Sequence, residues 1–266
     1  MSKIFAVCNQ KGGVGKSTTA VNLSSYLAMS GKKTLLVDLD PQGNATVSAG
    51  IAKGQARQTI YNVLLQETSL DQAVFPSAIE RLDVAPSSTD LAGAEFRLAK
   101  HDAPETTLRN VCQPVRDRYE FIVFDCPPSL GLLTINALVA ADSALIPVQC
   151  EYLALEGLTA LLKSIERITQ SLNPQLTIGG ILLTMADGRA NLTKEVSDEV
   201  KRFFKELVFE TTIPRNIRLA EAPSFGKPIC LYDPHSTGAQ AYDMLAKELL
   251  ARIGMTAHKV EAGAAG

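Results

Sequence analysis

The sequence predicts an α/β protein: a single doubly wound, mostly parallel sheet with helices on both faces. Short apolar, β-branched runs recur along the chain, segments of helical spacing fall between them, and a glycine-rich stretch sits at the first run-to-helix junction. Strands that alternate with helices imply parallel βαβ units wound on both sides of one sheet.

The runs are IFAV from Ile4, TLLVDLD from Thr34, LDVAP from Leu82, FIVFDCPP from Phe121, ALIPVQ from Ala144, IGGILLT from Ile178 and ETTIP from Glu210. Strands covered on both faces are apolar throughout rather than at every second residue, so these read as buried strands. The helical segments are Lys16 to Ser30, stopped before Gly31; Leu155 to Leu172, stopped before Asn173 and Pro174; Thr193 to Val208; and Ser236 to Ile253, stopped at Gly254. No linker or internal repeat interrupts the pattern. The expected organisation is one domain over residues 1–254 and a flexible tail over 255–266, MTAHKVEAGAAG, with too little apolar surface to order itself.

Of the 266 residues 46% are hydrophobic and 20% charged, the balance of a globular protein rather than a disordered or fibrous one. A net charge of −2 gives no global basic field, so binding to nucleic acid requires a local patch. Cys8, Cys112, Cys126, Cys150 and Cys230 form no CxxC pair and no zinc spacing, which implies buried reduced thiols. Lys3 and the polar Asn9 to Lys11 leave no room for a signal-peptide apolar region. The apolar run Leu130 to Ala141 falls short of the ~20 residues of a membrane-spanning helix. The first of these points to the cytoplasm.

Three motifs carry chemistry. NQKGGVGKST, from Asn9, follows a strand and opens a helix, the context in which backbone N–H groups of a glycine-rich turn surround phosphate oxygens. Gly15, Lys16 and Ser17 fill the end of the usual phosphate-loop pattern, but its first glycine falls on Gln10. The loop is therefore the variant KGGxGK[ST], with a second lysine, Lys11. Such a match arises by chance about once in 10⁴ chains of this size. FIVFDCPP places Asp125 at the C-terminal edge of a strand, where a carboxylate can hold the Mg²⁺ bridging two phosphates. LLVDLDPQGN places Asp38 and Asp40 on one face; they either orient an attacking water or cap the turn at Pro41.

KGGVGKST, LLVDLDPQGNAT, FIVFDCPPSLG and PRNIRLAEAPSFGKPI, in that order over nearly the whole chain, resemble the ParA/Soj partitioning ATPases of the MinD/ParA (deviant Walker A, SIMIBI) class of P-loop proteins. The resemblance implies ATP and Mg²⁺ as cofactors. It implies that Lys11 crosses an ATP-dependent homodimer to the partner's phosphates, and that Gly12, Gly13, Val14, Gly15, Lys16, Ser17 and Thr18 form the loop. Lys16 would bind the β- and γ-phosphates, Ser17 and Thr18 would take Mg²⁺ and the α-phosphate, and Asp40 would position the water. Asp125 would be the Walker B acid, with Asp40 counted beside Ser17 and Asp125 among the groups at the metal. Pro214 and Asn216 would form the adenine-side loop, and Arg189 and Arg218 would bind double-stranded DNA without sequence preference.

The implied function is chromosome or plasmid segregation with a ParB-type partner, on the nucleoid, with slow hydrolysis until stimulated. From Met185 to Cys230 eight basic residues stand against seven acidic ones, so composition alone does not reveal a DNA surface. The alternatives are a MinD-like membrane switch or a positioning ATPase on a protein scaffold. A membrane switch needs a basic amphipathic C-terminal helix that the last dozen residues do not supply. A reductase relative needs cluster-holding cysteines, and these five make no ligand pair.

Overall fold

The computed structural model describes residues 2–151, 154–187 and 190–264. Its strands are β1 (Lys3–Val7), β2 (Thr34–Asp38), β3 (Phe75–Pro76), β4 (Leu82–Ala85), β5 (Phe121–Asp125), β6 (Ser143–Gln149) and β7 (Thr177–Thr184). They form one sheet in the order β3-β4-β2-β5-β1-β6-β7, in which β3 alone runs antiparallel to its neighbour. The helices are α1 (Lys16–Met29), α2 (Asn44–Ser48), α3 (Ile60–Leu64), α4 (Ala94–Leu98), α5 (Thr107–Cys112), α6 (Leu132–Ala140), α7 (Ala154–Ser171), α8 (Asn191–Phe204), α9 (Ile217–Glu221), α10 (Ile229–Tyr232) and α11 (Thr237–Ala264).

Because successive strand residues face opposite ways, β1 feeds two cores. Ile4, Ala6 and Cys8 pack with Leu108, Leu133 and Leu158 on one face; Phe5 and Val7 pack with Leu23 and Leu27 of α1 and Tyr242 and Leu245 of α11 on the other. Coverage on both faces explains the unbroken apolar runs. The register sets Val7 and Asp38 each beside Asp125, so the C-terminal ends of β1, β2 and β5 finish level. From β1 the chain moves to β2 and β4 on one side, then returns through β5 to β6 and β7 on the other. That reversal puts a switch point, the usual ligand crevice of such sheets, at the end of β1.

Three local expectations are corrected. The run ETTIP forms no regular strand. The segment follows β7 with single bonds, Phe209 N–H to Ile181 O and Ile213 N–H to Leu183 O, both 2.9 Å. Between them the Glu248 carboxylate takes the N–H groups of Glu210 and Thr211, each at 2.9 Å, so the ladder is interrupted. The seventh strand is instead β3, two residues that include a proline and carry no pattern to read. Helix α8 ends at Phe204 rather than Val208, because Lys205 turns to φ 45° and a 3₁₀ turn follows. Helix α11 passes through Gly254 to Ala264. A glycine costs a helix about 1 kcal/mol relative to alanine, too little to stop one flanked by Met, Ala, Lys and Glu.

All five cysteines are free and buried, and burial pushes the Cys8 and Cys112 thiols up to about 12. Among the described residues no helix is long and apolar enough to cross a membrane.

The sheet also depends on Gly180 in β7. A Cβ there would stand 2.2 Å from a ring carbon of the fully buried Phe209. Gly180→Ala is expected to cost about 2 kcal/mol by overpacking, lowering the melting temperature by roughly 4–8 °C in thermal denaturation.

Candidate active site

The loop after β1 is shaped by its own polar groups before any ligand is considered. Asn9 accepts the Lys11 N–H at 3.0 Å and donates to Pro147 O at 2.7 Å, tying the loop to the end of β6. On the other side the Thr184 hydroxyl, at the end of β7, donates to Val14 O at 2.9 Å. Gly15, with φ 87°, turns the chain into α1 in a conformation that disfavours any side chain. Gly12 and Gly13 are open on their outer side, with nothing within 4 Å of where a Cβ would be.

Lys16 is buried in the first turn of α1, and its Nζ donates to Lys11 O at 2.9 Å across the loop. Burial lowers its pKa, while Asp125, Cys126 and Asp40 favour its charge. The side chain of Lys11 goes elsewhere. It is half exposed and forms an ion pair with Glu151, just past β6. The two lysines of one motif thus differ in environment: one closes its own loop, the other lies on the surface.

Asp125 ends β5 beneath the loop with both carboxylate oxygens fully buried; the Ser17 hydroxyl lies near enough to favour its charge, but neither oxygen accepts a well-formed hydrogen bond. Burial pushes its pKa well above the carboxylate range and Asp38 adds to the rise; the Ser17 hydroxyl, Asp40 and Lys16 have smaller effects, Ser17 and Lys16 favouring ionisation. Asp38 is equally buried but fully engaged. It accepts from Asp40 N–H at 3.1 Å and from both the N–H and the hydroxyl of Thr46 at 2.7 Å. Burial raises it to about 6 against the pull of those bonds. Asp38 is therefore a turn-holding residue. Asp40 caps Gln42 N–H at 2.9 Å with one oxygen, which leaves the other for a ligand.

Pro214 and Asn216 come to this loop from the far end of the sequence. They line a cavity of about 250 Å³ with Gly15, Thr18, Thr184 and Tyr242. Met185 lines it too, in the left-handed region at φ 52°. The Asn216 amide is partly committed: it caps α9 by accepting from Leu219 N–H at 3.3 Å and donates to the Thr237 hydroxyl at 2.8 Å. One lone pair and one N–H remain for a ligand. Arg218, on α9, is half exposed and sits between Glu221 (3.0 Å) and Asp233 (3.3 Å). Hydrogen bonds to Glu221 and Tyr232 raise its pKa. Arg189 lies outside the described residues.

Sequence reasoning missed Asn9, Thr46, Ser87 and Thr184. Each is a small polar residue whose role depends on a partner from a distant segment, and no local spacing marks it.

A buried carboxylate with no partner is costly unless a cation completes it. Among the described residues no group of three His, Cys, Asp or Glu could hold a metal by itself. The arrangement suits Mg²⁺, which typically takes one or two protein oxygens and completes its octahedron with phosphate and water. A loop of open amides above that carboxylate, with a buried lysine beside it, answers both needs with one nucleoside triphosphate. The fold and site define a P-loop nucleotide hydrolase.

Comparison with known proteins refines this. A family model described as an AAA domain matches residues 2–178. The sporulation initiation inhibitor protein Soj of Bacillus subtilis is 53% identical over 251 residues, covering 94% of this chain and 99% of its own. The chromosome partitioning protein ParA of Myxococcus xanthus is 51% identical over 252 residues, covering 95% and 89%. Among solved structures, a cobyrinic acid a,c-diamide synthase from Mycobacterium smegmatis with bound ATP analogue and magnesium superposes with a TM-score of 0.82 at 35% identity, covering 94% of this chain and 95% of that one. The chain belongs to the Soj/ParA family of partitioning ATPases.

Proposed function

We propose that this ATPase is a dimerising switch that binds Mg²⁺·ATP, coats nucleoid DNA without sequence preference as an ATP dimer, and is discharged by a ParB-type partner to segregate a chromosome or plasmid. One observation supports this above the others: Lys11 belongs to the loop but turns its side chain out of it, to Glu151 on the surface. There it can reach a second copy's phosphates at the cost of one exposed ion pair, worth ~0–1 kcal/mol.

In this reading Lys16 leaves the Lys11 carbonyl for the β- and γ-phosphate oxygens. The loop amides and the Thr18 hydroxyl would hold the remaining oxygens, and Ser17, Asp125 and Asp40 are the groups that would hold Mg²⁺. Mg²⁺, when bound, neutralises charge on the transferring phosphoryl group. The free oxygen of Asp40 orients the water for in-line attack. The purine is placed against Pro214, meeting the spare donor and acceptor of Asn216. An unstimulated switch of this kind turns over slowly.

The DNA surface is assigned to Arg218 and Arg189. Dimerisation doubles the phosphate contacts, and affinity rises steeply with their number, so DNA binding depends on ATP. Gel shifts on unrelated duplexes at one stated salt concentration, with ATP, ADP or no nucleotide, test this. The expected result is sequence-blind binding with ATP only, reduced about tenfold or more by Arg218→Ala. A protein that dimerises with ATP yet ignores DNA would move the cargo surface to a membrane or a protein scaffold.

A further inference from the structure

The register of the sheet brings β4 beside β2, with Ala85 opposite Val37, so the chain continues through Pro86 and Ser87 alongside Asp38 to Asp40. There the polar groups make a closed circuit. Ser87 donates its hydroxyl to Asp40 O at 2.7 Å, and its N–H to the Thr46 hydroxyl oxygen at 2.9 Å. The Thr46 hydroxyl donates to Asp38, and Asp38 accepts the Asp40 N–H. Asp40 is thus held at both its N–H and its C=O, by residues that are all buried.

Closing the turn does not require this. Gly43 N–H to Asp40 O and Gln42 N–H to the Asp40 carboxylate, both 2.9 Å, already close it. The Ser87 hydroxyl adds a second donor to the same carbonyl, from the segment that follows β4 rather than from the turn. What it fixes is the direction in which the Asp40 side chain leaves the backbone. We propose that Ser87, acting with Thr46 and Asp38, is a positioning residue for ATP hydrolysis: it holds the Asp40 main chain so that the carboxylate keeps the angle at which it orients the attacking water. The proposal rests on the role given to Asp40 above. Displacements of about 1 Å in such groups cost up to ~10²-fold in rate, so the clamp acts on kcat.

The test measures single-turnover ATP hydrolysis and ATP affinity in the full chain for Ser87→Ala, Ser87→Thr, Thr46→Val, Asp40→Ala and the Ser87→Ala/Asp40→Ala double variant. Ser87→Ala is expected to lower kcat about tenfold with ATP affinity within about twofold of wild type, and Ser87→Thr, which keeps the hydroxyl, to recover most of the rate. In the Asp40→Ala background the Ser87 change is expected to do nothing more, because a group acting through Asp40 has nothing left to position. Thermal melting reads the fold of each variant; if Ser87→Ala does not fold, Thr46→Val, which cuts the same circuit at nearly constant volume, carries the test. An unchanged kcat in Ser87→Ala, or a loss that multiplies with that of Asp40→Ala, overturns the clamp. A wild-type rate in Asp40→Ala overturns the reading of Asp40, and the clamp with it.

Discussion

Lys11→Ala is expected to bind ATP within a few-fold of wild type, to remain monomeric with ATP, and to hydrolyse it about 10³-fold more slowly than wild type under stimulated conditions. The separation of effects follows from where the two lysines sit. Lys16 is buried and spans its own loop, so phosphate affinity in the monomer belongs to it. Lys11 contributes only its main chain to that loop, its N–H to Asn9 and its carbonyl to Lys16, and alanine keeps both; its ammonium group is on Glu151. Removing the ammonium therefore spares the site within one chain and takes away what that chain can offer another. A cation supplied in trans to a transferring phosphoryl group accounts for rate factors of about 10³ or more where its contribution has been separated. Titration with a fluorescent ATP analogue, sedimentation with and without ATP, and steady-state hydrolysis measure the three quantities independently. ATP-induced dimers of normal stability in the variant would end the trans reading and return Lys11 to the role of a solvated loop residue.

How much was legible before the structure follows from the range over which each signal acts. The phosphate loop was readable because strand, glycines, lysine and helix start are contiguous, and the loop needs Gly15 for its backbone angle alone. Asp125 is readable as a strand-end carboxylate, but its buried surroundings depend on Asp38, Ser17, Asp40 and Lys16, which come from two other segments. Six of seven strands were found from apolar runs. The seventh expectation failed at Glu210 because Glu248, nearly forty residues on, takes the amides a strand would have used. Asp38 and Asp40 share a face in the sequence, and only the fold tells them apart: Thr46 takes up one oxygen of Asp38 and the Asp40 N–H the other, while Asp40 gives one oxygen to Gln42. Pro214 and Asn216 were placed at the nucleotide only through family resemblance, since nothing in PRN itself marks it as part of a pocket beside Gly15.

Asp125→Asn is expected to act in opposite directions in the two states of the protein. Without nucleotide at pH 8 the variant should melt about 2–4 °C above wild type, a gain of ~1 kcal/mol, because it replaces a buried carboxylate that has no partner. With Mg²⁺ and ATP it should lose most of the ligand-induced stabilisation, which for wild type at a hundredfold excess over Kd is about 2.7 kcal/mol, and hydrolysis should fall by ~10²-fold or more. The pH dependence fixes the sign. The folded-state pKa of Asp125 is raised, so its contribution to stability is complete below the unfolded value near 4 and is lost as pH climbs through the folded value. Asp38 behaves alike, its loss running from the unfolded value near 4 up to about 6. As far as these two groups govern it, nucleotide-free wild type is therefore more stable at pH 5 than at pH 8, and Asp125→Asn flattens that slope while leaving the part due to Asp38. Thermal melts of both proteins from pH 5 to 8, with and without Mg²⁺ and a non-hydrolysable ATP analogue, read every term. A variant that melts below wild type at pH 8 without ligand would mean that Asp125 already has a partner, and that the cation is not what its buried charge awaits.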